Sequence, residues 1–340
     1  MGLIVALVGA TGAVGAQFLD ILAGGALPLS DLRLFASSRS SGKRLLFDGE
    51  ELEVREAIPG IFEGVDVAFI STSTEVSLEL APAAAEAGAV AIDDSSAFRM
   101  EQDVPLVVPE VNADALASHR GIVSTPNCTT VPLVMVLHAL GRASPIRRVV
   151  VSTYQSVSGA GAAAARQLTD QTRAILDGGD PLAKVFPNQF AFNAIPAVDS
   201  FMDDGYSREE IKMARETRKI LAAPDLAFSA TCVRVPVYQA HSMAANVEFD
   251  RPVSPEEARV LLAEMPGVRI VDDPARGCYP QPVDAAGGDD VLVGRIRSDA
   301  SHPNGLALWL SADNLRKGAA LNMVQIAEEL LRRGLLKASS

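Results

Sequence analysis

The apolar run Leu3 to Val8 passes straight into Gly9-Ala-Thr-Gly-Ala-Val-Gly15. No other feature of the chain restricts its fold as much. A short, unbroken apolar run ended by glycines reads as a strand buried in a parallel sheet. A helix is expected from about Ala13 to Ala23, where Gly24-Gly25 stops it. Glycine between such a strand and helix lets the backbone turn tightly and approach a pyrophosphate, whose charge the helix N-terminus favours. The spacing is G-x-x-G-x-x-G, a variation on G-x-G-x-x-G, and an ordinary glycine-rich turn is the competing reading. An NAD site would carry an acid at the end of the second strand. Here that end reads Ala36-Ser-Ser-Arg-Ser40. Arg39 among hydroxyls suits a 2′-phosphate, which favours NADP; the alternative is a solvated surface arginine.

Strand-like runs at Leu32 to Ala36, Val65 to Ile70, Ala89 to Ile92 and Gly121 to Ser124 follow, with an Ala-rich helix around Leu78 to Ala87. Alternating strands and helices give a doubly wound parallel sheet over residues 1–130. The later runs, Arg148 to Tyr154, Phe228 to Val237, Ala244 to Phe249, Asp290 to Arg297 and Leu306 to Ser311, are longer and more alternating. They predict a mixed or antiparallel sheet with helices, an α+β domain over residues 131–313. A final helix over 314–338 is expected to pack back on the first domain.

Charge removes two classes of partner. With 42 acidic and 30 basic side chains the net charge is −12, which argues against nucleic acid and against an anionic membrane surface. It leaves room for small anions, because a few local cations reverse the field in one cleft. No apolar run is long enough to span a bilayer. Three cysteines without C-x-x-C spacing exclude a disulfide framework and a structural zinc site, and no metal is expected. A reducing, cytoplasmic compartment follows.

One of those cysteines stands out. In Ser124-Thr-Pro-Asn-Cys-Thr-Thr-Val-Pro132 a strand ends and an apolar helix begins, and Pro132 is tolerable only in a first turn. A thiol there gains from the helix dipole and free N–H groups, as a nucleophile requires. Cys232, inside a strand, and Cys278, in a Pro-rich segment, read as inert. A nucleophilic cysteine beside a nicotinamide suggests a thiohemiacetal that yields hydride and becomes a thioester. Such a step needs a base and a group to polarise the carbonyl. His241 follows a strand in which Arg234 is a lone cation. Arg234 serves either a substrate carboxylate or an internal ion pair, and His241 is either a catalyst or a hydrogen-bonded loop residue. His138 reads as a packed residue of the apolar helix. From its own residues Ser156 to Ala165 is a plain link, and Glu209 with Lys212 a surface salt bridge.

The glycine loop, Asp94-Ser-Ser-Ala-Phe-Arg99, Thr125-Pro-Asn-Cys-Thr-Thr130 and Ser152-Thr-Tyr-Gln-Ser-Val-Ser-Gly-Ala-Gly161 together resemble the aspartate-β-semialdehyde dehydrogenase family. Glu209-Glu-Ile-Lys-Met213, Arg234 to His241 and Gly294-Arg-Ile-Arg297 extend the resemblance in order along nearly the whole chain. It implies a Rossmann-like NADP domain and a catalytic and dimerisation domain. The implied reaction is the reversible conversion of L-aspartyl 4-phosphate and NADPH to L-aspartate 4-semialdehyde, NADP⁺ and phosphate. That step serves lysine, diaminopimelate, threonine and methionine biosynthesis, in a homodimer or homotetramer. Cys128 would be the nucleophile, His241 the acid/base and Gln155 the orienting group. Arg234 would bind the substrate carboxylate, Glu209 its ammonium, and Arg99 with Lys212 the phosphate; Asn127 joins the substrate set. Gly9, Thr11, Gly12, Ala13, Val14, Gly15, Arg39, Ser40, Ser158, Gly159 and Asn314 would hold NADP.

Two alternatives stand beside this. N-acetyl-γ-glutamyl-phosphate reductase shares the chemistry, but its acetylated amine would leave Glu209 without a cation to bind. A non-catalytic nucleotide-binding homologue would be marked by loss of the cysteine or histidine, and both are present.

Overall fold

A computed structural model describes residues 2–183 and 185–336. The chain divides into two compact units, one of residues up to Asn127 with those from Ala319 onward, the other Cys128–Gly318.

The first unit contains β1 (Leu3–Val8), α1 (Ala13–Ala23), β2 (Leu29–Ala36), β3 (Arg44–Phe47), β4 (Glu50–Glu56), β5 (Val67–Ile70), α2 (Thr74–Glu86), β6 (Val90–Asp93), the one-turn α3 (Pro109–Asn112) and β7 (Ile122–Ser124). Its sheet runs β3-β4-β2-β1-β5-β6-β7 and is parallel except for the β3–β4 hairpin. The doubly wound sheet read from the sequence is present. Leu3, Val5 and Leu7 join the core with Phe18 of α1 and Met323 and Ile326 of the C-terminal helix Leu321–Arg332. Ala6 and Val8 join Leu80 and Ala84 of α2 on the other face. Both faces of β1 are buried, which is why its sequence does not alternate. In register, Val8 faces Phe35 and Ile70, Ile70 faces Asp93, and Asp93 faces Ser124. The carboxyl ends of these strands are therefore flush, where doubly wound sheets receive ligands.

Two features differ from the sequence reading. The β3–β4 hairpin was not expected; it turns at Asp48 (φ 48°) and Gly49 (φ 85°). The C-terminal helix is shorter than 314–338: a π-turn at Arg316–Ala320 precedes it and it ends at Arg332. Residues 337 and 338 of the expected helix lie outside the described residues.

The second unit contains α4 (Thr130–Gly141), β8 (Ile146–Gln155), α5 (Ala162–Leu176), α6 (Arg208–Ile220), β9 (Ala227–Arg234), β10 (His241–Phe249), α7 (Pro255–Ala263), β11 (Val268–Ile270), the one-turn α8 (Pro282–Ala285), β12 (Val291–Ser298) and β13 (Gly305–Ala312). Its sheet, β11-β12-β13-β10-β8-β9, is mixed: β8–β9 and β11–β12 are parallel, the other pairs antiparallel. β9 stops at Arg234, short of the expected Val237: the Val235 N–H still reaches the Gln155 carbonyl, but the next N–H on that side, that of Val237, turns back to the Val235 carbonyl. The stretch read as a plain link becomes α5 from Ala162 onward, which buries Ala164 and Leu168 against Phe190.

Candidate active site

In the first unit, Gly9 has φ +93° and a Cβ there would lie 2.1 Å from the Ser71 carbonyl oxygen. A Cβ on Gly15 would lie 2.5 Å from the carbonyl oxygens of Gly9 and Ala10. Only glycine permits this closeness. Gly12 caps α1 without a side-chain hydrogen bond, and Ala13 and Val14 begin a first turn with no acid. The first N–H groups are thus left for an anion. After β2, Thr11 Oγ1 donates to Ser40 Oγ at 3.3 Å, and Lys43 Nζ donates to the same oxygen at 3.3 Å. Arg39 is exposed beside them, and Ala36 to Lys43 holds no carboxylate. Hydroxyls with two cations fit a dinucleotide bearing a 2′-phosphate. Lys43 escaped the sequence reading, although it lies only four residues past Arg39.

Arg99, also in the first unit, is 7% exposed, and its Nη2 donates to the Asp94 carbonyl at 2.5 Å. Ser71 donates to Asp94 Oδ2 at 2.7 Å and Ser95 to Asp93 Oδ2 at 2.8 Å. Burial, with repulsion from Asp93, pushes the Asp94 carboxyl up to about 7, against the Ser71 hydrogen bond and the Arg99 charge. Asn127 is buried at the end of this unit.

In the second unit, strand register assembles the candidates. Gln155 and Arg234 end the parallel strands β8 and β9 and face one another. His241 opens β10 opposite Ala312, two residues before Asn314. All four therefore stand at one end of the sheet's strands. Ser207 and Glu210 form a capping box at the start of α6, and Glu210 Oε1 also accepts from the Cys232 N–H at 2.9 Å. That bond ties α6 to β9 and brings Glu209, buried beside Glu210, to accept from Gln155 Nε2 at 3.0 Å. Arg234, 8% exposed, donates from Nη1 to the Ser156 carbonyl at 2.7 Å and lies 5.9 Å from the centre of the Phe186 ring. Its Nε has no hydrogen-bond partner among the described residues, so donor capacity remains for a carboxylate. Burial pushes the Arg234 pKa down, and the Glu209 and Cys128 charges oppose the shift.

His241 Nδ1 lies 3.0 Å from both the peptide nitrogen and Oγ of Ser156. Asn314 Oδ1 accepts from Ser158 Oγ at 2.9 Å, Ser156 Oγ at 3.2 Å and the Ala240 N–H at 3.0 Å. That oxygen is fully engaged, so a ligand could meet only the Asn314 amide NH₂. A Cβ on Gly159 would lie 3.5 Å from His241 Nε2 and 3.6 Å from Arg234 Nη1. Ser156 is the residue that reading by residue type missed; it sits inside a recognisable motif but looks like part of a link.

Cys128 immediately precedes Thr129, the cap of α4, and Pro132 falls in the first turn of that helix. Gly318, in the π-turn, packs on it: a Cβ there would lie 3.0 Å from Cys128 Cβ and 3.1 Å from Cys128 O. Cys232 is buried with its thiol directed at Met213 Sδ, 3.7 Å away, and burial pushes its pKa up, as an inert thiol requires. Lys212 donates to Asp199 at 2.7 Å and lies 3.9 Å from Glu209.

Residues 4–119 match the family model described as semialdehyde dehydrogenase, NAD binding domain, and residues 137–317 match semialdehyde dehydrogenase, dimerisation domain. An aspartate-semialdehyde dehydrogenase of Synechocystis sp. is 50% identical over 332 residues, 98% of each chain. The chain belongs to the aspartate-semialdehyde dehydrogenase family. Its structure matches aspartate semialdehyde dehydrogenase II of Vibrio cholerae complexed with ASA, with a TM-score of 0.94 and 44% identity over 98% of this chain and 99% of that one. The Candida albicans family member, solved with NADP, matches with a TM-score of 0.76 and 25% identity over 99% and 100%. The dimerisation-domain match indicates an oligomer. No helix among the described residues is long and apolar enough to cross a membrane.

Proposed function

We propose that this chain catalyses the reversible, NADPH-dependent reductive dephosphorylation of L-aspartyl 4-phosphate to L-aspartate 4-semialdehyde, a step of amino-acid biosynthesis. The Cys128 sulfur bonds to the acyl carbon, and phosphate leaves with the electron pair of its C–O bond. NADPH, when bound, supplies the hydride that reduces the resulting thioester. Breaking the C–S bond then frees the aldehyde and restores the thiolate. Arg234 receives the substrate carboxylate, Glu209 its ammonium, Gln155 and Asn127 orient the acyl group, and His241 acts at the carbonyl oxygen. Arg99 and Lys212 take the phosphate, for which Lys212 exchanges its bond with Asp199. The glycine loop, Arg39 and Ser40 hold NADP, with Ser158, Gly159 and Asn314 on the nicotinamide side.

The observation that carries this reading is the meeting of Gln155, Arg234 and His241 at one end of the sheet's strands, with Glu209 hydrogen-bonded to Gln155. A cation, an anion and an imidazole there match the carboxylate, ammonium and carbonyl of one small substrate. A buried glutamate favours a free ammonium over an acetylated amine. We infer a cytoplasmic homodimer or dimer of dimers, the compartment supported by three cysteines that form no disulfide.

The test is phosphate-dependent NADP reduction with aspartate semialdehyde. Preference for the N-acetyl-γ-glutamyl substrate would overturn the assignment. Cys128→Ala should abolish turnover and leave NADP binding intact; near-normal turnover would remove Cys128 from its role.

A further inference from the structure

The surroundings of His241 constrain more than its position. Its ring is 1% exposed, and Nδ1 faces the Ser156 peptide N–H at 3.0 Å. A peptide N–H can only donate, so Nδ1 must offer its lone pair, and the single proton of the neutral ring then sits on Nε2. The Ser156 hydroxyl, also 3.0 Å from Nδ1, has one hydrogen, which goes either to that nitrogen or to Asn314 Oδ1, so the peptide N–H is the fixed donor. An imidazolium would instead aim an Nδ1–H at the Ser156 N–H, which cannot turn away because it follows the last ladder residue of β8. Nε2 and Arg234 Nη1 both border the space left by the absent side chain of Gly159.

We propose that His241 works only as a neutral imidazole protonated on Nε2, a tautomer imposed by the Ser156 peptide. On this view it serves as a hydrogen-bond donor to the carbonyl oxygen, not as half of a thiolate–imidazolium pair. The inference rests on the function proposed above and refines one role in it. When hydride adds to the thioester carbon, the C=O electron pair moves onto oxygen, and Nε2–H holds that oxyanion. The pair then re-forms the C=O bond, the C–S bond breaks, and sulfur leaves as the Cys128 thiolate. His241 gains and loses no proton in this sequence. Arg234 is the charged group that faces the ring. Burial first, then the Arg234 charge, lower the His241 pKa to about 3, and the backbone contact with Ala240 offsets this only in part. The charge opposite a Cys128 thiolate is then Arg234, together with the start of α4, while Ser156 positions the two side chains: its N–H fixes His241 and its carbonyl fixes Arg234.

The decisive measurement is the ¹⁵N spectrum of histidine-labelled full-length protein, with and without NADP, the His241 signals being those absent from His241→Gln. The expected spectrum has Nε2 protonated and Nδ1 bare, unchanged from weakly alkaline to weakly acidic pH. A protonated Nδ1, or an imidazolium at neutral pH, overturns the proposal. Ser156→Ala keeps the peptide N–H and should leave that spectrum unchanged; a switch of tautomer would transfer the role to the hydroxyl and overturn the peptide assignment. In turnover, His241→Gln retains a donor near the Nε2 position and should exceed His241→Ala by about tenfold or more in kcat. Equal loss in both refutes donation. The spectrum is read without turnover, so failure on the proposed substrate and failure of the tautomer are distinguishable.

Discussion

Gly318→Ala is a small substitution with a large expected effect, because of where its methyl would go. The added carbon would stand 3.0 Å from Cys128 Cβ, 3.1 Å from Cys128 O and 3.3 Å from Asp313 O. Carbon atoms rest comfortably at about 3.5–4.0 Å, so Cys128 or the π-turn must yield by about 0.5–1 Å. Neither moves freely. Asp313 is fully buried, its Oδ1 accepting from Leu315 and Arg316 N–H groups and its Oδ2 from Gln239 and Gly287. Overpacking of this kind costs about 1–3 kcal/mol of stability. Displacing a reacting atom by about 1 Å can cost about 10²-fold in rate. Turnover should therefore fall by about 10- to 100-fold, with KM for the semialdehyde changed far less, since Arg234 and Glu209 are untouched. Steady-state kinetics, paired with the rate of Cys128 alkylation by iodoacetamide, reads both consequences. Turnover within about twofold of the parent, with unchanged alkylation, would refute the claim that the π-turn sets the thiol's position.

Replacing Arg39 with a neutral residue should weaken NADP more than NAD; equal loss in a binding titration would deny it the 2′-phosphate. Glu210→Ala removes half of the capping box and strands the buried Cys232 N–H, for an expected loss of about 2–4 kcal/mol in denaturant unfolding. A change indistinguishable from that of an exposed surface glutamate would contradict it. Asp94 keeps its proton up to about 7 in the fold against an ordinary value of 3.8. Between these values the folded chain binds more protons than the unfolded one, so stability falls as pH rises through that window. Asp94→Asn should flatten this slope in unfolding midpoints compared at both ends of the window, and an unaltered slope would show that the carboxyl is ionised throughout.

Sequence disclosed elements whose residues face a single dominant environment. β1, buried on both faces, announces itself as an unbroken apolar run, and α4, buried nearly all round, does the same around Pro132. The β3–β4 hairpin is half exposed and rich in charge, so its alternation is faint; Asp48-Gly49 was the legible signal, since that pair suits the positive φ values of a tight hairpin turn. α5 was obscured because its buried face includes Gln167 and Gln171, which bond backbone groups of the 182–191 segment and so read as polar surface. At the site, Cys128, Arg234 and His241 were legible as residue types in unusual company. Ser156 was not, because it grips His241 through a backbone N–H and Arg234 through a backbone carbonyl, and every residue but proline offers the former. Lys212 shows the opposite case: its helical partner Glu209 was visible at three-residue spacing, but Asp199, its closer partner, comes from a loop whose position no local pattern specifies.

The flush ends of β8 and β9 have a consequence for how the enzyme fails. Gln155 and Arg234 owe their alignment to eight paired positions of a parallel ladder continuous with β10, where His241 begins. β9 is the edge strand of that sheet, but α6 is fastened to it through Glu210 and the Cys232 N–H, so the ladder opens only when that packing is lost as well. A mobile loop can drift out of alignment while the protein stays folded, but these side chains have no such intermediate condition. Catalytic competence and the native state should disappear together on denaturation, so that residual activity counts the molecules still folded.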